Sequence, residues 1–423
     1  MIKEENYWKV NVAMLWLSQI LVMAGYSAMI PFIPLFMQKE LGVVMDNDVA
    51  LYVSAFNFCG TLGYTIFCPI WGWLSDKFGV KPMLLRGTFV TAFIFPIMGY
   101  VSSPEMLVFL RFLTACCAGT TAASQIMIAR TCPDNRQGFG QGVLSTAIWG
   151  GAMLGNVVGG LIIDKYSYQH AFWLCGIMYF IAGFSILFTR DKGSAAEAAT
   201  PECLPELSKE HHRLRLIPDF TRAIWTMLAL FLVYGLIRNI EAPYISLRVK
   251  QLISAEDATH FTGKDPAAYY TGIISAVVCV GAILSGVVSG YLVDKLSPKF
   301  MIIPIFVISG IALLSQGACE NLWQFGASRT MLYMFAGGAQ PMLQKLLSSV
   351  TPKEKRGSAF GFSTCFNGIG MMVSATLGGW FMVAFSLNGV FYIGGLMFLL
   401  ALPLFVVCIS RLRLSVKNVS ATH

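Results

Sequence analysis

Twelve apolar stretches, each about as long as a membrane-spanning helix, run through this sequence from one end to the other. A helix needs about 20 mostly apolar residues to cross the hydrocarbon core of a bilayer. Backbone polar groups in lipid must be satisfied within the structure, and a helix does this by itself. The sequence therefore predicts an all-α polytopic membrane protein with twelve transmembrane helices, at 10–36, 50–73, 83–101, 105–129, 139–163, 169–189, 223–247, 270–292, 300–318, 322–347, 358–385 and 389–410.

The composition and the distribution of charge agree with this fold class. Only 12% of the 423 residues are charged and 56% are hydrophobic, whereas a soluble domain carries about 25% charged residues. The net charge of +8 could indicate a nucleic-acid partner, but Lys and Arg collect on one side of the predicted membrane. That side is the cytoplasm by the positive-inside rule, so both termini are predicted to be cytoplasmic and no nucleic-acid partner is expected. The outer loops hold few basic residues: Lys39, Lys165, Arg248, Lys250 and Lys264.

A polar segment at 190–222 separates the first six predicted helices from the last six. It mixes charges with Pro and Gly and is the longest polar connection in the chain. We therefore predict an N-terminal six-helix bundle at 1–189, a cytoplasmic linker at 190–222 and a C-terminal six-helix bundle at 223–423. The first apolar stretch shows no small-residue cleavage site, so we interpret it as a retained span and not as a signal peptide.

The two halves carry the same motifs at nearly the same spacing. GWLSDKFGVKPMLL at 72–85 aligns with GYLVDKLSPKFMII at 290–303, an offset of 218 residues. Repeated halves in parallel orientation are typical of transporters whose site lies between the halves. The sequence therefore predicts two pseudo-symmetric bundles with the site between them. Three further pairs support the repeat: Arg111 with Arg329, Gly119 with Gly337, and 151–160 with 370–379.

Three motifs resemble those of a known family, the major facilitator superfamily. G-x-L-S-D-K-x-G-x-K at 72–81 is similar to the signature in the loop after its second span. GYSAMIPFIPLF is similar to the G-x5-P-x2-P pattern of twelve-span drug:proton antiporters. The resemblance covers essentially the whole chain and is nearest to bacterial multidrug and tetracycline-resistance efflux proteins. The third motif, in the fifth predicted helix, is G-x3-G-N-x2-G-G at Gly151, Gly155, Asn156, Gly159 and Gly160, where the antiporter motif has proline in place of Asn156.

The loop after the second predicted helix is a candidate gate. A carboxylate at Asp76 can sit against a helix N-terminus, where backbone N–H groups lack partners and the helix dipole is positive. The resemblance implies that this helix is the eleventh, with Ser358 as a candidate N-cap, and that the contact closes the cytoplasmic side. The lysines bind lipid phosphates or neighbouring acids, or they only mark topology. The candidate gating residues are Gly72, Asp76, Lys77, Gly79, Lys81, Gly290, Asp294, Lys295 and Ser358.

Charges inside predicted helices are the candidates for proton coupling. A bare charge at the bilayer centre costs about 2.5–3.5 kcal/mol on insertion scales, so such residues face the bundle interior or a wet cavity. For Arg111 the resemblance implies a role in proton coupling, and a structural hydrogen-bond anchor is the alternative. Glu241 is the only acid inside a predicted helix, and Arg238 lies three residues before it, where the two can pair. Glu241 then either carries the proton or forms a structural ion pair.

Polar and aromatic residues inside the predicted helices are candidates for the substrate cavity. An apolar pocket with a few polar groups suits lipophilic ligands of varied shape. The alternative for each residue is a polar group that forms its hydrogen bonds at a contact between helices. Close helix packing likewise explains the glycines of the fifth helix. The candidates are Tyr26, Asn57, Gln125, Trp149, Tyr234, Gln340 and Asn367.

The sequence favours a transporter over an enzyme. No histidine lies deep in a predicted helix, and neither a P-loop nor a metal-ligand cluster is present, so uphill transport would use an ion gradient and no cofactor is expected. The leading prediction is a secondary active transporter of the inner (cytoplasmic) membrane. It would export lipophilic or cationic drugs in exchange for protons by alternating access, as a monomer, with a small-molecule substrate, protons and membrane lipids as partners. The alternatives are a proton symporter or facilitator for an organic anion or small metabolite, and a non-transporting receptor or lipid-handling protein on the same fold.

Overall fold

Helices account for almost all of the chain that the computed structural model describes, which comprises residues 7–133, 136–190, 220–254, 263–295, 298–351 and 356–420. The prediction of an all-α polytopic protein is confirmed. Most of the predicted linker at 190–222 lies outside the described residues, so the division into two domains stays a prediction. In chain order the helices are α1 (Tyr7–Ser27), α2 (Ile33–Lys39), α3 (Asp46–Phe78), α4 (Val80–Met98), α5 (Pro104–Cys117), α6 (Thr120–Thr131), α7 (Gln137–Lys165), α8 (Tyr168–Leu187), α9 (Arg222–Asn239), α10 (Ile245–Leu252), α11 (Pro266–Lys295), α12 (Pro298–Ala318), α13 (Leu322–Ala336), α14 (Ala339–Val350) and α15 (Arg356–Ser420).

Ten helical stretches in the described residues are long and apolar enough to cross a membrane. The last of them, Ala359–Arg411, holds two predicted spans, because α15 is interrupted at Ser386, whose φ of 69° is not helical. Gly378 and Gly394, on either side of this kink, both lie against Ile240, so the two arms of α15 fold back on each other. The predicted span 322–347 consists of α13 and α14, each of which is too short to cross alone.

Four of the predicted spans are interrupted, and the breaks follow the repeat. In the first half, α1 and α2 are separated around Pro31, and α5 and α6 at Gly119, whose φ is 124°. In the second half, α9 and α10 are separated around Pro243, and α13 and α14 at Gly337. Proline lacks the N–H that a helix interior needs, and glycine adopts backbone conformations that end a helix. Such discontinuous helices mark the substrate region in many transporters.

Each half contributes an equivalent glycine contact to the interface between the halves. Gly160 of α7 lies against α11, where a Cβ would be 2.8 Å from the Ala268 carbonyl oxygen and 3.3 Å from the Cα of Gly272. Gly379 of α15 occupies the equivalent place in the second half and lies against Ala50 and its neighbours in α3. Small residues allow the backbones of crossing helices to approach this closely. The glycine runs therefore form the contact between the halves.

The other glycines of the fifth-span motif pack within the first half. Gly151, Gly155 and Gly159 each face the backbone of α1, and a Cβ on Gly151 would be 2.5 Å from the Ile20 carbonyl oxygen. Asn156 lies beside them on α7 and faces α11, with 6% of its surface exposed. One side of α7 thus packs closely against α1, and the adjacent side contacts α11 of the second half.

Candidate functional site

Two neighbouring cavities lie inside the bundle. The first, here named the central cavity, has a volume of about 270 Å³ and is lined by residues of both halves. The second, here named the Arg111 cavity, has a volume of about 440 Å³ and is lined mainly by the first half. Thr61 and Met371 belong to the walls of both. The cavities are therefore adjacent.

The broken helices position these cavities. The wall of the central cavity contains Pro31 from the break between α1 and α2, and Pro243 from the break between α9 and α10. The wall of the Arg111 cavity contains Gly119 from the break between α5 and α6. Where a helix is interrupted, backbone groups and side chains turn toward the interior instead of following the helix surface. The sequence features that break the helices thus place polar atoms around the cavities.

A buried ion pair stands at the wall of the central cavity. The carboxylate of Glu241 is 0% exposed, and its Oε1 accepts a hydrogen bond from Nη1 of Arg329 at 3.2 Å. The same Nη1 donates to Oε1 of Gln316 at 3.3 Å. The second carboxylate oxygen, Oε2, has no hydrogen-bond partner among the described residues. Removing one member of such a pair leaves an uncompensated buried charge, which typically costs about 3–5 kcal/mol.

The partner of Glu241 differs from the one that the spacing predicts. Helix α9 ends at Asn239 and a 3₁₀ turn begins at Ala242, so Glu241 lies just beyond the end of the helix that carries Arg238. Among the described residues Glu241 forms its ion pair with Arg329, and the guanidinium of Arg238 lies 4.0 Å from the centre of the Tyr333 ring. The predicted ion pair between Arg238 and Glu241 is therefore corrected to one between Arg329 and Glu241.

Arg111 faces its cavity without an acidic partner. Its Nη2 donates to the hydroxyl of Tyr26 at 2.8 Å, and its guanidinium lies 5.3 Å from the centre of the Phe56 ring. No Asp or Glu in the described part of the chain lies within 4 Å of it, and its Nε has no hydrogen-bond partner there. Gly60 makes room for the guanidinium, because a Cβ at that position would be 2.5 Å from Nε. Of the two arginines that the repeat aligns, Arg329 thus has an acidic partner and Arg111 has none in the described part of the chain.

Four of the seven predicted cavity residues line one of the two cavities. Asn57 and Trp149 line the central cavity, and Tyr26 and Asn367 line the Arg111 cavity. The other three line neither. Tyr234 is buried and donates to the Ala336 carbonyl oxygen at 2.9 Å, across the break between α13 and α14, while Gln125 and Gln340 are exposed.

For most of the predicted gate only the backbone is described. Gly79 separates α3 from α4 with a φ of 89°, as the predicted tight turn requires. Lys81 donates to the carbonyl oxygens of Leu187 and Thr189, each at 2.7 Å, and so caps the C-terminal end of α8, a favourable place for a cation. The surroundings of the other candidate gating residues lie outside the described part: Gly72, Asp76, Lys77, Gly290, Asp294, Lys295 and Ser358.

The opposite end of the bundle, which the sequence predicts to face outward, carries a polar cluster that the sequence analysis did not identify. Lys39 of α2 forms an ion pair with Asp265 at 2.8 Å, and the Tyr168 hydroxyl donates to the same carboxylate at 2.6 Å. The backbone N–H of Asp265 donates to Oδ1 of Asp164 at 2.7 Å. We name these four residues the outer latch, because it joins three helices of the first half to the start of α11. No spacing pattern links residues about 100 positions apart, so only the folded chain reveals it.

Replacing Asp265 with alanine is expected to loosen this end of the bundle. The substitution removes the charge-assisted hydrogen bond from Tyr168, which is worth about 1.5–3 kcal/mol. It also removes the ion pair with Lys39, whose side chain is 39% exposed, so that this pair adds about 0–1 kcal/mol. Amide hydrogen exchange at the start of α11 should become about tenfold faster in the Asp265→Ala variant. Asp48→Ala, which removes an exposed acid at the same end, is the matched control. Equal exchange in the two variants would mean that the latch does not hold the halves together.

Comparison with known proteins identifies the family. The family model described as Major Facilitator Superfamily matches residues 15–260 and 259–422. The chain belongs to the Major Facilitator Superfamily. The predicted resemblance is therefore confirmed, and the chain is a transporter of this superfamily and not an enzyme. No group of three or more His, Cys, Asp or Glu side chains that could hold a metal ion occurs within the described ranges.

Relatives of this superfamily transporter include multidrug resistance proteins. The chain is 27% identical over 388 residues to "Multidrug resistance protein MdtG" of Citrobacter koseri, covering 91% of each chain. It is 25% identical over 394 residues to the protein of the same name from Dickeya zeae, again covering 91% of each.

Solved structures with the same fold include a nucleoside transporter and a sugar symporter. The crystal structure of a mutant of the nucleoside transporter NupG is 12% identical with a TM-score of 0.75, and the match covers 94% of this chain and 99% of that one. A D-xylose-proton symporter is 17% identical with a TM-score of 0.75, covering 95% and 97%. At these identities the likeness shows the fold alone, which is the twelve-helix fold that the sequence predicts.

Proposed function

We propose that this superfamily transporter exports lipophilic small molecules in exchange for protons. The observation that carries the proposal is the carboxylate of Glu241, which is fully buried, pairs with Arg329 of the central cavity wall and has one oxygen without a partner among the described residues. An intramembrane carboxylate is costly to keep and typically marks a proton or ion pathway. The relatives named as multidrug resistance proteins support efflux as the direction of transport.

The ion pair between Glu241 and Arg329 supplies the coupling. Nη1 of Arg329 and Oε1 of Glu241 lie 3.2 Å apart, within the range of an ion pair. When Oε2 of Glu241 takes a proton, the pair loses its attraction, and Arg329, which lines the central cavity, becomes available to other acceptors there. A group that binds a proton better in one conformation than in another shifts the balance between the conformations. Arg111 remains a proposed member of the coupling set, since its guanidinium faces the adjacent cavity.

Alternating access would proceed by separation of the halves at one end and closure at the other. The outer latch and the paired glycine contacts at Gly160 and Gly379 support a state that is closed at the predicted outer end. The cytoplasmic gate around Asp76 and Ser358 stays a proposal that rests on the sequence. Four further points are also proposals that rest on the sequence: the cytoplasmic location of the termini, residence in the cytoplasmic membrane, contact with lipids and function as a monomer.

An organic anion is the second candidate substrate, with uptake by proton symport as its direction. The observation that favours it is Arg111, which faces a cavity of about 440 Å³ with no acid within 4 Å in the described part of the chain. A guanidinium in such a place attracts carboxylates, with which it forms strong charge-assisted hydrogen bonds. The direction of flux relative to the proton gradient distinguishes the two candidates.

Transport in proteoliposomes with an acidic lumen tests the proposal. The probes are ethidium and 1-naphthalenesulfonate, whose permanent charges prevent passive trapping by pH. Exchange for protons predicts that a probe accumulates in the acidic lumen, since protons leave as the probe enters. Symport predicts that the probe leaves the acidic lumen together with the protons. Flux equal to that of protein-free liposomes for both probes would contradict both candidates, and a symmetric pH serves as the control.

A further inference from the structure

The central cavity is rich in hydrogen-bond acceptors that belong to asparagines. Asn57 donates its Nδ2 to the Val53 carbonyl oxygen at 2.9 Å, and Asn239 donates its Nδ2 to the Gly235 carbonyl oxygen at 3.0 Å. In each case one of the two N–H groups of the amide is used on its own helix. Both residues line the central cavity, where an amide oxygen can serve as an acceptor.

Asn156 adds an acceptor that is buried and unsatisfied. Only 6% of this residue is exposed, its Nδ2 points to Sγ of Cys279 at 3.7 Å, and its Oδ1 has no hydrogen-bond partner in the described residues. The residue also lines the central cavity. A buried polar atom without a partner is rare, because it has lost its contact with water without compensation. A ligand group that donates hydrogen bonds would compensate it.

The central cavity offers a ligand polar groups but little free charge. Arg329 is the charged side chain in the described lining, and it is already engaged with Glu241 and Gln316. Beside the three asparagines the wall carries the hydroxyl and indole groups of Ser27, Thr61, Ser275, Tyr333 and Trp149. The unpartnered Oδ1 of Asn156 is therefore the acceptor that a donor on a ligand would satisfy. An alkylammonium group carries up to three N–H donors and no acceptor, so it fits this acceptor better than a carboxylate or an ether.

The adjoining Arg111 cavity has the opposite chemistry. It holds a guanidinium that no described acid neutralises, together with the hydroxyl of Tyr26, which accepts a hydrogen bond from that guanidinium. These groups suit a carboxylate, which accepts hydrogen bonds and carries a negative charge. Thr61 and Met371 line both cavities, so the two sites adjoin.

We propose that the preferred substrates are zwitterionic amphiphiles, with the ammonium group among Asn57, Asn156 and Asn239 and the carboxylate at Arg111. This inference rests on the proposed transport function and names its substrate class. A purely cationic ligand would face Arg111 without a described acid in either cavity wall, since Glu241 is buried and paired. A purely anionic ligand would leave the asparagine oxygens without donors. A zwitterion satisfies both groups of residues at once.

A matched set of three quinolones tests the substrate class. Ciprofloxacin carries an ammonium and a carboxylate, its methyl ester keeps only the ammonium, and its N-acetyl derivative keeps only the carboxylate. Proton-driven flux per unit concentration should be about tenfold higher for ciprofloxacin than for either derivative, after subtraction of the flux into protein-free liposomes. Equal or higher flux of a derivative would overturn the proposal, and so would ethidium transport without measurable ciprofloxacin transport.

Replacing Asn156 with leucine tests the assignment of the ammonium subsite. Leucine keeps the shape of asparagine and removes its acceptor, so the KM for ciprofloxacin should rise about tenfold while the KM for the N-acetyl derivative stays unchanged. Asn57→Leu should act in the same way. Asn47→Leu, at the exposed start of α3, is the control and should change neither value. Equal increases for both compounds in the Asn156→Leu variant would indicate a structural role and overturn the assignment.

Binding measurements separate this inference from the proposed function. Calorimetric titration of the detergent-purified protein with the three quinolones requires no transport. Tighter binding of ciprofloxacin together with absent proton-driven flux would contradict exchange and keep the substrate class. Proton-driven flux of ethidium together with equal binding of the three quinolones would keep exchange and overturn the substrate class.

Discussion

The Glu241→Gln variant is expected to lose proton-driven transport, with a decrease of about 100-fold in the initial rate under a pH gradient. Glutamine keeps the size of the side chain and can still accept a hydrogen bond from Arg329, but it cannot take up or release a proton. The variant should also melt at a lower temperature, because the charge of Arg329 remains buried without compensation, at a cost of about 3–5 kcal/mol for a full loss of the partner. Transport in proteoliposomes and thermal unfolding measure the two effects.

The double variant Glu241→Gln with Arg329→Gln separates coupling from stability. It removes both charges, so the melting temperature should recover relative to the single variant while proton-driven transport stays absent. Arg329 is 1% exposed and forms its ion pair with Glu241, which makes the pair a suitable unit for such a comparison. Unchanged proton-driven transport in Glu241→Gln would exclude this residue as the proton carrier. Recovery of transport in the double variant would assign the pair a structural role.

The Gly151→Ala variant is expected to yield little folded protein. A Cβ at this position would lie 2.5 Å from the Ile20 carbonyl oxygen and 2.9 Å from the Cβ of Met23. Both atoms belong to rigid parts of α1, so the two helices must move apart and lose contacts along their length. Overpacking of this kind costs about 1–3 kcal/mol, occasionally more. Size-exclusion chromatography after heating should show a lower melting temperature and a smaller folded fraction.

Gly150→Ala is the matched control for this variant, because it makes the same change one residue earlier in the same helix. A Cβ at Gly150 would meet nothing within 4 Å. Alanine is also the better helix former by about 1 kcal/mol, so this variant should be as stable as the wild type or more stable. Equal stability of the two variants would show that the contact between α7 and α1 can adjust, contrary to the prediction.

Much of the fold could be predicted because its signals are local or repeated. The length of each apolar stretch decides whether it can cross a bilayer, so the spans and their number follow from composition along the chain. The helix breaks also have local causes, since Pro31, Gly119 and Pro243 each act on their own backbone. The alignment of 72–85 with 290–303 then relates the halves to each other. Four of the seven predicted cavity residues, among them Asn57 and Tyr26, line a cavity.

The sequence by itself determined the membrane class, the two related halves and the presence of buried charges. Only the tertiary structure decided which charges meet. The i, i+3 spacing of Arg238 and Glu241 predicts a pair only while the helix continues, and α9 ends before Glu241. The partner is instead Arg329, 88 residues away, and the outer latch joins Lys39 to Asp265 in the same way. Ion pairs and cavity walls depend on distances between helices, and these distances are set by packing contacts that no local pattern in the chain records.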